Sequence, residues 1–96
     1  HSAHAYSDAY FEDSPTISKN TAEKLVEKKV GMVGLDSYSP DHEPFEVHKL
    51  LFKHGIRIVE NLVNLELVKG KRFTCFVLPL NIADADGAPC RVVALL

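Results

Sequence analysis

An α/β fold with a mixed sheet and flanking helices is what this sequence predicts, and three observations carry the prediction. Residues 47–54 set Val47, Leu50, Leu51 and His54 at i, i+3, i+4 and i+7, the repeat of a helix with one face on a core. Residues 72–80, R-F-T-C-F-V-L-P-L, form the strongest strand signal in the chain. They are apolar on both faces over much of their length, which predicts a place inside a sheet. The third observation is the order of elements. Strand-like runs are separated by helices in the first half and by a loop alone at the end, so the sheet is expected to be mixed. About four strands and two helices result, with no internal repeat to suggest a solenoid.

Each element has a local reason. Residues 1–14 are polar, dotted with aromatic residues and without clear period. His1 and His4 invite a metal reading on weak spacing alone, and an exposed chain end is the plainer one. Tyr6, Tyr10 and Phe11 are too many rings for a free tail, so the segment is expected to pack on something. Pro15 breaks the chain and Ser18 is a good N-cap. A helix over 19–29 follows, burying Ala22, Leu25 and Val26. Residues 30–35, V-G-M-V-G-L, read as a buried strand whose glycines suggest close backbone approach.

Residues 36–41 form a loop dense in side chains that bond to their own backbone. Asp36 stands at the strand's carboxyl end, where it could support a site or simply cap the loop. Pro44 and Phe45 lead into the helix over 47–54, where Phe52 widens the apolar arc and Lys49 and Lys53 keep their charges in water. His48 falls between Leu51 and Phe52, which aims it at the interior or a cleft. Gly55 sits where a left-handed C-cap is expected, and Ile56, Ile58 and Val59 make a short β-rich run. Glu60 follows directly. A carboxylate delivered beside the core by an apolar strand needs a partner, because burying it alone is costly.

Residues 61–69 read as a turn or helical turn that Gly70 ends. Pro79 marks the edge or end of the 72–80 strand. Asp86-Gly87 is a turn dipeptide within the loop over 82–89. Residues 91–96 make a last strand, opened by Arg91, for which Asp84 or Asp86 is the expected ion-pair partner.

Composition bounds what this chain can be. At 96 residues it makes one small domain over 1–96, burying around 60–65% of its unfolded surface. A hydrophobic share of 46% with 25% charged residues is ordinary for a globular domain. The net charge of −2 gives no electrostatic case for a nucleic-acid partner. No apolar run approaches the ~20 residues of a membrane span, and no signal peptide is visible. The first residue is not Met, so the start reads as a processed or cut end. Cys75 and Cys90 lie in strand-like segments and are expected to be buried free thiols, which points to the cytoplasm.

The constellation with chemistry in it is His48, Glu60 and Asp36. Histidine and carboxylate ligands with open positions suit zinc, manganese or iron, where the metal turns water into a nucleophile near neutral pH. The spacing of His48 and Glu60 is no motif that physics singles out. Taken alone it reads as a histidine at the core edge with a satisfied hydrogen bond. Nucleophilic catalysis has less support. A thiol in an apolar strand loses reactivity, and no G-x-S-x-G, P-loop or G-x-G-x-x-G is present.

Further blocks of sequence carry a resemblance. Y-F (10–11), P-x-I-S (15–18), G-L-D-S-Y-S-x-D (34–41), V-H-K-L-L (47–51), G-I-R-I-V-E-N-L-V-N-L (55–65) and R-F-x-C-F-V-L-P-L-x-I-x-x-A-D-G-A-P-x-R (72–91) follow in order. Together they resemble the carboxyl-terminal half of the cyclase family, metal-dependent amide hydrolases that include bacterial kynurenine formamidase and isatin hydrolase. The resemblance implies part of a swivelling β/β/α fold and a site for zinc or manganese. It also implies that His48 and Glu60 are metal ligands and that Asp36 is a supporting residue behind them. A cation there would neutralise the Glu60 carboxylate. The family's upstream H-x-G-T-H-x-D-x-P motif is not reproduced by His1, His4 and Asp8, and Asn81 stands where a basic residue is more usual. The catalytic acid–base group is therefore not among these residues.

The implied activity is hydrolysis of an amide bond in a small molecule, an aryl formamide such as N-formylkynurenine or a cyclic amide such as isatin, through a metal-bound hydroxide. A homo-oligomer is expected. The alternative is a truncated, non-catalytic α/β module that acts through oligomerisation or partner binding, because strands 72–80 and 90–96 would present open edges.

Overall fold

The computed structural model describes residues 7, 9–12 and 14–96. His1, His4, Tyr6 and Asp8 lie outside the described residues. Two compact units divide the chain, one running to Val63 and the other from Asn64 to Leu96.

The first unit contains α1 (Ala9–Glu12), α2 (Lys19–Glu27), β1 (Met32–Gly34), α3 (Glu46–Lys53) and β2 (Arg57–Val59). α2 starts where the sequence places its cap: the Ser18 hydroxyl accepts from the Thr21 N–H at 3.1 Å. α3 ends in a Schellman motif. The Gly55 N–H bonds the Phe52 carbonyl and the Ile56 N–H reaches back to Leu51, both around a glycine at φ +71°. That turn reverses the chain into β2, which pairs in parallel with β1 in the register Met32↔Arg57, Val33↔Ile58, Gly34↔Val59.

Ala22, Val47, Leu51 and Ile56 form the buried centre, with Ile17, Leu25, Val26, Val33, Leu50 and Ile58 packed around it. Each fully buried Leu or Ile side chain contributes about 1.5–3 kcal/mol, so Leu51 and Ile56 anchor α3 and β2 to each other. His54, on the predicted apolar row, is instead exposed. It caps the last turn, where the Schellman turn carries the chain away from the core. Of the two glycines in the 30–35 run, Gly34 is the one with a close neighbour. A Cβ there would lie 2.8 Å from Leu62 Cδ1.

The second unit has a short 3-10 turn (Leu65–Val68) and an antiparallel hairpin of β3 (Thr74–Pro79) and β4 (Cys90–Leu95). Its register runs from Thr74↔Leu95 to Pro79↔Cys90. The α/β class is as expected, with parallel and antiparallel ladders both present. Among the described residues they occupy two separate two-stranded sheets and do not share one.

The expectation that 72–80 lies inside a sheet fails. Phe76, Leu78, Val93 and Leu95 share one face of the hairpin and are all largely exposed. A two-stranded ribbon has no second layer of its own, and this unit carries no further strand or α-helix to cover it. The same openness exposes Cys75 and Cys90, which are free thiols as expected but not buried ones. Arg91 is likewise exposed and has no carboxylate partner among the described residues, so the expected pairing with Asp84 or Asp86 does not form.

Candidate functional site

α3 begins unusually. Its N-cap residue, Phe45, is left-handed at φ 60° and offers no side-chain cap. The cap comes from the preceding loop, where Asp41 Oδ2 accepts the Val47 N–H at 2.8 Å. A carboxylate at this end of a helix is also favoured by the helix dipole. The loop is itself fixed. The Ser39 hydroxyl donates to the Asp41 carbonyl at 2.5 Å, the Ser37 hydroxyl to the Ser39 carbonyl at 3.1 Å, and the Ile17 N–H to the Pro40 carbonyl at 2.7 Å. Ser37, Ser39 and Asp41 are all buried.

The second oxygen of Asp41 meets His48, one turn into α3, with Nδ1 and Oδ1 2.5 Å apart. The imidazole ring stands edge-on to Phe45 and Phe52, with ring centres 5.5 and 5.8 Å away. Carboxylate and rings together fix its orientation and leave Nε2 facing outward. From the end of β2, Glu60 brings Oε1 to 3.6 Å from that Nε2. His48 and Glu60 side chains retain 22% and 33% of their exposure, so the pair sits at the rim of the unit and not in its interior. The sequence reading of Glu60 as a buried carboxylate is too strong. Partial hydration removes much of the cost of its charge.

This line of Asp41, His48 and Glu60 has a definite chemistry. With Nδ1 donating to Asp41, the Nε2 lone pair faces a carboxylate oxygen, and two acceptors at this distance repel unless a proton or a cation stands between them. Two donors on one tetrahedral zinc, each at about 2.0–2.2 Å, lie roughly 3.4 Å apart, close to the observed 3.6 Å. A carboxylate behind the other ring nitrogen is the usual support of a metal-binding histidine. The donor pair therefore fits a divalent ion. It does so only as part of a set, since among the described residues no group of three or more His, Cys, Asp or Glu side chains is arranged to hold a metal.

Glu60 is held through its neighbour. Asn61, left-handed at φ 61°, gives its N–H to the Ser37 carbonyl at 2.9 Å, and the Leu62 N–H bonds Leu35 at 2.9 Å. The buried Tyr10 hydroxyl lies 2.5 Å from Asn61 Oδ1 and 3.1 Å from the Asp36 carbonyl. Burial first, then the charges of Asp36 and Glu60, push the Tyr10 phenol above its ordinary value of 10.0. Asp36 is half-buried and joins this network through its backbone. Tyr10 also stacks edge-on with Phe11, which packs against Tyr38. Of the aromatic residues expected to pack, Tyr10 and Phe11 do so, although Phe11 stays largely exposed.

His48 and Glu60, the two predicted ligands, are brought together by α3 and β2. Asp41 was not predicted. Capping templates look for the acceptor at the residue before the helix, whereas Asp41 reaches in from six residues before the N–H it caps. Its one sequence signal is its place at the end of the G-L-D-S-Y-S-x-D block.

The chain is similar to curated kynurenine formamidases over nearly all of its own length. It is 38% identical over 95 residues to kynurenine formamidase of Bacillus cereus (strain ATCC 14579), a match covering 96% of this chain and 45% of that protein. Kynurenine formamidase of Bacillus anthracis is 36% identical with the same coverage. An uncharacterised protein of Methanocaldococcus jannaschii is 38% identical over 90 residues, 93% of this chain and 46% of its own length. The chain thus spans about half the length of the curated relatives it matches. No family model and no solved structure matches it.

Proposed function

We propose that this chain supplies two ligands, His48 and Glu60, to a divalent metal site in a hydrolase of small-molecule amides, with zinc or manganese as the ion. The observation that carries the reading is the approach of His48 Nε2 to Glu60 Oε1 with Asp41 behind the same ring. Similarity to kynurenine formamidases supports the reaction class, and an aryl formamide or a cyclic amide is the substrate it suggests. A divalent ion supplies Lewis acidity, polarising a carbonyl and lowering the pKa of water toward neutrality. His48 donates its Nε2 lone pair, Asp41 holds the ring so that this nitrogen stays free, and Glu60 adds the negative charge. Phe45 and Phe52 pack edge-on against the ring and help to orient it.

The test is metal content and aryl formamide hydrolysis by the protein carrying this chain, compared with His48→Ala and Glu60→Gln. Both variants are expected to lose most of their bound zinc or manganese and most of their activity. A His48→Ala protein with full metal content and undiminished turnover would overturn the ligand assignment.

The exposed apolar face of the β3–β4 hairpin favours a second reading, a non-catalytic module that works by association. In that case the protein carrying the chain binds neither zinc nor manganese, and its assembly state changes when Phe76 and Leu78 are made polar.

A further inference from the structure

We propose that Tyr10 is a positioning residue for Glu60, holding the carboxylate at its distance from His48 through a hydrogen bond to Asn61. The inference rests on the metal-ligand reading of His48 and Glu60 and adds to it a residue from a distant part of the chain.

Three observations carry it. Glu60 follows the last residue of β2 and has no β-ladder bond of its own to fix it. Its position depends on the turn that follows, and that turn is pinned on both sides. Backbone bonds from Asn61 and Leu62 to Ser37 and Leu35 hold one side. On the other, the Tyr10 hydroxyl meets Asn61 Oδ1 at 2.5 Å, across 51 residues of sequence. Asn61 is also left-handed at φ 61°, a conformation that asparagine tolerates better than most residues and that sets the direction of the turn after Glu60. Lastly, Tyr10 is 5% exposed and its ring packs on Phe11 and Tyr38. A phenol anchored by its ring is a rigid strut, because only two torsions connect it to the backbone. A phenol with an ordinary value of 10.0 is protonated, and therefore a donor, across the neutral range.

The perturbation that isolates the strut is Tyr10→Phe, which keeps the ring and removes only the hydroxyl. Asn61→Gly removes the same link from the other end while preserving the freedom to be left-handed. Zinc and manganese affinities are measured by calorimetric titration of the protein carrying this chain, beside thermal stability. Val26→Ala, on α2, serves as a variant that weakens the core without touching the turn.

Loosening a ligand by removing its support costs about 10–100-fold in metal affinity. Tyr10→Phe and Asn61→Gly are expected to fall in that range, not to add when combined, and to cause no further loss in a Glu60→Gln background. Val26→Ala should lose stability and keep its affinity. If Tyr10→Phe binds zinc as tightly as the parent while His48→Ala loses it, the positioning role is wrong and the site reading stands. If Val26→Ala loses affinity in proportion to its stability, the effect of Tyr10 is structural only and the proposal fails. If His48→Ala keeps its metal, both readings fall together.

Discussion

Removing the Asp41 carboxylate should damage the fold and the site by separable amounts. Asp41 accepts the Val47 N–H at 2.8 Å and faces His48 Nδ1 at 2.5 Å while only 8% exposed. In Asp41→Ala the first loss is that of a helix cap, about 1 kcal/mol. The second is a charge-assisted bond, about 1.5–3 kcal/mol. Water enters a truncated site at a rim more easily than a core, which offsets part of the sum, so a net destabilisation of about 2–3 kcal/mol is expected. Asp41→Asn should fall between alanine and the parent. Its one carbonyl oxygen can serve either Val47 or His48, and its amide then meets the other donor unfavourably. Urea denaturation of the protein carrying this chain measures the first effect. Zinc titration measures the second, expected as a 10–100-fold loss because His48 is no longer oriented. An Asp41→Ala protein within about 0.5 kcal/mol of the parent would refute the capping argument. Unchanged zinc affinity would refute the orienting one.

Further predictions concern the thiols and the phenol. On the hairpin register Cys75 lies opposite Ala94 and Cys90 opposite Pro79, four residues along β3 from Cys75. At ~3.4 Å per residue this separates the two by roughly 14 Å, twice the reach of a disulfide. Both should react with a thiol reagent in the native protein without reductant, and a mass lower by two hydrogens in the unreduced chain would contradict the register. Tyr10 has its pKa raised by burial and by the charges of Asp36 and Glu60. A group whose folded pKa lies above its unfolded value stabilises the fold fully below that unfolded value and loses this contribution as pH rises through the folded one. The parent should therefore weaken as pH climbs above 10.0, and Tyr10→Phe should weaken less over the same interval. Urea midpoints at about pH 9 and about pH 11 compare them. Equal alkaline losses would show that Tyr10 titrates as freely as in the unfolded chain.

Local signals determined much of this protein without any tertiary knowledge. The apolar repeat of Val47, Leu50 and Leu51 and the glycine at 55 specify α3 and its stop, because helix periodicity and a left-handed cap are properties of neighbouring residues. Ser18 starts α2 for the same reason. The same ordered blocks that place His48 and Glu60 also carried the family likeness that the relatives confirm.

Other features were decided only by the folded chain. A strand's sequence reports that its two faces are apolar, not whether a second layer exists to cover them, so the exposure of Phe76, Leu78, Cys75 and Cys90 could not be read beforehand. The Asp41–His48 contact depends on the path of the loop between them, and the Tyr10–Asn61 bond joins residues 51 apart. No local pattern encodes such contacts, because each exists only when the loop, α1, α3 and β2 have all found their places. Residue type decided which atoms could bind a metal or donate a proton. Packing decided which of them face one another.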